Sequence, residues 1–387
     1  MSDVAHGVGA FVALIGAALL IAILAERVRI PAAVAMVAVA AFVHIPPPFA
    51  FGDTLLFVFL PPLIFEAAWN LDLDALRRTA WRIALLAIPG TLATAAIVAA
   101  GAIVGGGFPF GAALLFGAIV AATDPVAVVA AFRRVRVPTD LRTLIEGESL
   151  FNDGVALILF GFALTIASGQ PASVGADVLL GIVEIVGGTA IGVAAGLLCA
   201  GVLRVTNAAE YEVTVTIVLA YLSYIGATEL HASGIFATIG GAIALRAMLR
   251  RVPHTISNAV DVDRVWNALA FVANAAVFTA TGLVIEPERI LHEPGLVAGA
   301  IVAVIAARIA LAVLATRSLR SRTTMFLAGM RGALPLALAL SLPDTLPFRP
   351  QIIDATFAVV LVTIVVQGAP LELILARFYG DARGTQA

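Results

Sequence analysis

Runs of apolar residues about 20 long, such as WRIALLAIPGTLATAAIVAAGAIV at 81–104, recur from one end of this chain to the other, and no other feature constrains its fold as strongly. Crossing about 30 Å of hydrocarbon takes roughly 20 helical residues. No water is available there to hydrogen-bond the backbone, and a helix satisfies its N–H and C=O groups within the segment. The expected fold class is therefore an all-α polytopic membrane protein. The composition agrees, with 61% hydrophobic residues, 12% charged residues and a mean hydropathy of +1.06. No soluble-looking stretch interrupts the pattern, so no extramembrane domain of any size is expected. The net charge of −2 gives no basis for a nucleic-acid partner. The single cysteine, Cys199, excludes an intrachain disulfide and reads as a small core hydrophobe.

Thirteen apolar segments lie between residues 8 and 376, and the positive-inside rule tests the loops between them. With the N-terminus outside, 19 of the 23 basic residues fall on cytoplasmic connections or the C-terminal tail. Only Arg289 and Arg349 fall outside, and Arg308 and Arg331 lie within crossings. The first run, Val8 to Ala25, follows Asp3 and precedes Arg27 and Arg29, the wrong polarity for a cleaved signal, so it is expected to remain as the first helix. The C-terminus is then cytoplasmic and the protein spans the cell (inner) membrane many times. Helices grouped six, one and six suggest two halves of opposite orientation around a linker helix, a transporter signature that rests here on topology.

Charges inside the crossings mark the place where function is expected. Counted from the cytoplasmic arginines, Asp124 is nine residues before Arg133, Asp153 eleven after Arg142, Arg308 nine before Arg317 and Arg331 nine after Arg322. At 1.5 Å per residue all four reach a depth of roughly 14 to 17 Å, close to the midplane. Each costs about 2.5 to 3.5 kcal/mol in the centre of a spanning helix, so the charges are expected to face a cavity or one another. A static pair of buried salt bridges is the plainer reading, and it leaves the surrounding sequence unexplained. In ATDPVAVVA, Pro125 lacks the amide that would continue a helix, and Asp124 is a favoured cap before it. In GMRGALPLALALSLP, Gly329, Gly332 and Pro335 crowd Arg331 in the same way. Two discontinuous crossings, the fifth and the twelfth, point to a midplane ion site. On the sixth crossing, Glu148 and Asn152, and Ser149 and Asp153, are four apart, so they share one helix face. Their oxygens, with Thr123 and Asp124 opposite, suit a hard monovalent cation.

The segments LPPLIFEAAWNLDLDALRR (60–78), ATDPVAVVA (122–130), EGESLFNDGVALIL (146–159) and RGALPLALALSLP (331–343), in that order, closely resemble the electroneutral sodium/proton exchangers of the monovalent cation:proton antiporter family. The resemblance covers essentially the whole chain. It implies that Asp153, beside Asn152, alternately binds proton and cation. Thr123, Asp124, Glu148 and Ser149 complete the site, with sodium seated at Asp153, Thr123 and Ser149, and Glu148 pairs with Arg308. It also implies a homodimer and alternating access. Residues 73–170 (helices 4–6) and 291–378 (helices 11–13) would form the ion-binding core. Residues 1–72 (helices 1–3) and 206–290 (helices 8–10) would form scaffold and dimer contacts, 171–205 the linker helix 7 and 379–387 a short cytoplasmic tail. Control of the kind the animal members' long tail provides is not expected.

Related electrogenic antiporters have Asp-Asp where this chain has Asn152-Asp153, together with a midplane Lys, and this chain has no Lys anywhere. One proton is therefore expected to exchange for one cation, Na+ with Li+ or K+ as alternatives. Arginine is not deprotonated in proteins, so Arg308 and Arg331 act as fixed charge-compensating groups. Glu66 is a candidate for a vestibule or pH-sensing role, against a snorkelling or locally paired carboxylate. Glu184 reads as a group bonded to a neighbouring helix, His231 as a solvated loop residue and Glu146 as lining a funnel. No cofactor is expected beyond the transported Na+ and H+. An intramembrane aspartyl protease would use Asp124 and Asp153 as its catalytic pair, but it calls for Gly-x-Gly-Asp where Asp153 follows Leu-Phe-Asn. A passive cation channel would need no titrating residue.

Overall fold

A computed structural model describes residues 2–27, 32–42, 55–124, 126–132, 134–171, 173–204, 208–250, 259–284, 288 and 293–380. Each of the thirteen predicted segments carries helix, and no strand forms among the described residues. Eight helical stretches are long and apolar enough to cross a membrane, and shorter apolar helices occupy Ala32–Ala41, Phe57–Asn70, Phe110–Ala121 and Gly234–Leu249. The chain divides into two compact units, one of residues 1–55, 79–171 and 274–387, the other of 56–78 and 172–273.

In the first unit, α1 (Ser2–Arg27) packs with α2 (Ala32–Ala41). The fourth crossing begins earlier than the apolar run predicts. Asp72, before α4 (Leu73–Leu85), caps it by accepting the N–H groups of Asp74 at 3.0 Å and Ala75 at 2.8 Å, which extends the helix into the arginine-bearing stretch. A π turn at Leu86–Gly90 accommodates Pro89, and α5 (Thr91–Gly106) ends on Gly107 in the left-handed region, φ 64°. Next come α6 (Phe110–Ala121), α7 (Val126–Phe132) and α8 (Thr139–Ala167).

The same unit resumes with the end of α12 (Ala259–Val284), then α13 (Pro294–Ala315), α14 (Leu319–Leu327), α15 (Ala333–Leu340), α16 (Arg349–Thr363), a π turn at Ile364–Gly368 and α17 (Leu371–Tyr379). The fourth and eleventh predicted crossings meet backbone to backbone. A Cβ on Gly101 of α5 would lie 2.7 Å from the Gly299 carbonyl oxygen of α13, and one on Gly105 would strike Gly295. In hydrocarbon, where apolar burial drives no association, this close approach of small residues supplies the packing.

The second unit holds α3 (Leu60–Asn70), α9 (Val174–Leu203), α10 (Ala209–Glu229), α11 (Gly234–Leu249) and the start of α12. Phe65 stacks on Trp266 at 4.2 Å between centroids, and the indole N–H groups of Trp69 and Trp266 donate to Asp263 (2.8 Å) and Thr216 (3.0 Å). Buried indoles are thus paired within the unit.

Candidate ion-binding site

Two interrupted crossings meet in the first unit. In the fifth, α6 stops at Ala121, Ala122 turns extended (φ −62°, ψ 141°), and Thr123 and Asp124 follow without helix before α7 begins at Val126. Pro125, the expected breaker, lies outside the described residues. In the twelfth crossing α14 ends at Leu327, residues 329–332 are non-helical, and α15 starts at Ala333 with Pro335 in its first turn, where a missing N–H is harmless. Asp124 donates its backbone N–H to the Met330 carbonyl at 3.0 Å, which ties one break to the other. The second break needs its two glycines. A Cβ on Gly332 would strike the Asp124 carboxylate, and one on Gly329 would strike the Arg308 side chain.

The buried charges sit where broken helices leave unpaired poles. A helix C-terminus leaves carbonyls without partners and carries partial negative charge, and an N-terminus carries the opposite. At the end of α14, Arg308 donates its Nε–H to Met325 O at 2.9 Å and Arg331 donates from Nη1 to Gly329 O at 2.8 Å. Asp124 precedes α7, and its carboxylate packs on Gly332, the residue before α15. The C-terminal pole of α14 and the N-terminal poles of α7 and α15 therefore each face a side chain of opposite sign.

Glu148, Ser149, Asn152 and Asp153 all project from α8 toward these breaks. Arg308, 1% exposed, donates from Nη1 to both oxygens of Glu148, at 3.0 and 3.1 Å. Thr123 donates its hydroxyl to Ser149 Oγ at 2.9 Å. Asn152 is committed at both ends: Nδ2 donates to Thr123 Oγ1 at 2.7 Å and to Glu148 Oε1 at 3.3 Å, and Oδ1 accepts the Thr123 N–H at 3.4 Å. Its amide ties α8 to the first break and leaves little for an ion. Asp153 differs from its neighbours. Its Oδ1 is buried and has no hydrogen-bond partner among the described residues, and the charges of Asp124 and Glu148 act on it. Arg331 is 1% exposed and forms no ion pair among the described residues, and the charges of Arg308 and Glu148 act on it.

The remaining candidates lie elsewhere. Glu66 belongs to the second unit, buried, with Oε1 accepting from Asn70 at 2.7 Å. Glu146 pairs with Arg142 at 2.8 Å. In the second unit Glu184 interacts electrostatically with His231, and its carbonyl accepts the Ser233 N–H at 3.0 Å. Two residues not singled out from the sequence touch the second break: Thr363 accepts the Arg331 N–H at 3.1 Å, and Gln367 donates to Phe326 O at 3.0 Å. A polar pair four apart in an apolar crossing was the available signal.

Two interrupted helices that meet beside a carboxylate cluster are the arrangement of a secondary ion transporter. Residues 13–377 match the family described as sodium/hydrogen exchanger, transmembrane, and the chain belongs to that family. It is 32% identical over 330 residues to the Na(+)/H(+) antiporter ApNhaP of Aphanothece halophytica, covering 82% of this chain and 63% of ApNhaP. It is 29% identical over 324 residues to the Na(+)/H(+) antiporter NhaH of Halobacillus dabanensis, covering 81% of this chain and 80% of that protein. The fold matches the sodium proton antiporter MjNhaP1 of Methanocaldococcus jannaschii with a TM-score of 0.79 at 19% identity, over 94% of this chain and 98% of that one.

Proposed function

We propose that this protein exchanges Na+ for H+ across the cell (inner) membrane, one for one, by alternating access, with Asp153 as the group that carries either ion. The carrying observation is that Asp153 is the carboxylate of the cluster without a fixed partner. Glu148 is held by Arg308, Asp124 faces helix ends, and Asp153 Oδ1 is buried and unpaired among the described residues. Three carboxylates against two guanidinium groups leave one negative charge in the cluster, which one proton or one sodium ion cancels. That balance supports electroneutral exchange. Asp153, Ser149 and Thr123 would seat sodium, with Asn152 and Glu148 holding the seat in shape.

In this reading thirteen helices cross the membrane with the N-terminus outside and the C-terminus in the cytoplasm. Helices 4–6 and 11–13 move as the ion-binding core, helices 1–3 and 8–10 form the scaffold of a homodimer, and helix 7 links the halves. The names of the relatives, all Na(+)/H(+) antiporters, support the choice of ions.

The test is sodium-induced dequenching of a pH dye in everted vesicles. Wild type should exchange, with apparent sodium affinity weakening as pH falls because protons compete for the same carboxylate, and Asp153→Asn should fold normally and exchange nothing. Robust exchange by that variant would falsify the assignment.

A further inference from the structure

We propose that Thr363 and Gln367, one turn apart at the junction of α16 and the π turn, are positioning residues that hold the second break in register with the first. The inference rests on the functional reading above and extends it to groups outside the ion cluster. Several backbone carbonyls around the break find side-chain or cross-break partners. Met325 O takes Arg308 Nε–H, Phe326 O takes Gln367 Nε2–H beside the Gly329 N–H at 3.1 Å, Gly329 O takes Arg331 Nη1–H, and Met330 O takes the N–H of Asp124. The Arg331 N–H, next in the chain, goes to Thr363 Oγ1. Thr363 completes this acceptor by donating its own proton to Val360 O at 3.0 Å, as a helical threonine does to the preceding turn.

Thr363 is 3% exposed and Gln367 is fully buried, so no water substitutes for either bond. Gln367 holds the last turn of α14 and Thr363 holds the Arg331 N–H, so the two flank Met330, whose carbonyl anchors Asp124. That carbonyl is a second tie on the first break, beside the direct bonds of Thr123 to Ser149 and Asn152 of α8. Thr363 ends α16 and Gln367 lies in the π turn that follows, in which the Ala369 N–H reaches back to Ile364 O at 3.0 Å. Such turns shift side chains out of the ordinary helical register.

A misplaced break alters how well the ion is held without removing any group that binds it. Thr363→Val keeps shape and loses the acceptor, so the half-saturating sodium concentration should rise about tenfold, the cost of one buried N–H left without its partner. The maximal rate should stay within about twofold, the signature of lost binding rather than lost chemistry. Thr363→Ser restores the acceptor and should restore the affinity, and Gln367→Met should shift affinity in the same direction as Thr363→Val. The readout is dye dequenching at a series of sodium concentrations, with detergent melting alongside. Wild-type affinity in Thr363→Val, or a Thr363→Ser as impaired as the valine variant, overturns the proposal. Should Thr363→Val fail to fold, Gln367→Met decides: raised half-saturation supports the proposal and wild-type affinity overturns it. Exchange by Asp153→Asn is a separate failure, that of the ion-site reading itself.

Discussion

Removing either partner of the Glu148–Arg308 pair should damage the protein more than removing both. Nη1 of Arg308 lies 3.0 and 3.1 Å from the two oxygens of Glu148, and both side chains are almost wholly buried. At 3 Å and an effective dielectric of 20, their attraction is about 5 kcal/mol. Glu148→Gln would leave a buried guanidinium without a counter-charge, held by Nε–H to Met325 O and at most one neutral bond to the amide oxygen, with Nη2 still lacking a partner among the described residues. Arg308→Met would leave a buried carboxylate supported by the Asn152 amide at 3.3 Å. Breaking a buried pair from one side costs about 3 to 5 kcal/mol, whereas replacing both groups with apolar or neutral ones is often close to neutral. Each single variant should therefore melt several degrees below wild type in detergent. The double variant Glu148→Gln/Arg308→Met should recover most of the loss, and the coupling in this cycle measures the pair. Singles that melt like wild type, or a double no better than the sum of the singles, would show that Glu148 is held for the ion and not as a strut.

Two further outcomes are expected. In proteoliposomes the exchange rate should be indifferent to an imposed potassium-diffusion potential, and a rate that follows the potential refutes one-for-one exchange. At the start of α4, the N–H of Ala75, with that of Asp74, holds the Asp72 carboxyl below its ordinary value. A depressed folded-state pKa gives stability that is present above the unfolded value, about 3.9, and is lost as pH falls through the folded one. Asp72→Ala should therefore cost about 1 kcal/mol at neutral pH. The gap to wild type in melting temperature should close in acid, and a gap that persists there refutes the capping role.

Helix positions were legible because hydrocarbon admits few backbone solutions, so length and apolarity marked each segment. The start of the fourth crossing was not, because it depends on the Asp72 cap rather than on hydropathy. Within the ion cluster, periodicity put Glu148, Ser149, Asn152 and Asp153 on one face of α8. It could not show that Asn152 spends its whole amide on Thr123 and Glu148, since that depends on where another helix breaks. Thr363 and Gln367 showed only as a polar pair four apart, and their partners were hidden for the same reason. A hydroxyl in an apolar crossing usually bonds its own helix, and only the path of residues 328–332 gives it a second duty.

The contact between Gly101 and Gly105 of α5 and Gly295 and Gly299 of α13 fixes more than a packing distance. Side chains that interlock can change rotamer and let two rods slip, but carbonyl oxygens resting against Cα atoms have no rotamers to change. Sliding α5 along α13 would drive backbone into backbone within a fraction of a helical turn. The two crossings are thus geared without teeth, and Arg308, carried on α13, is held at one height relative to α5.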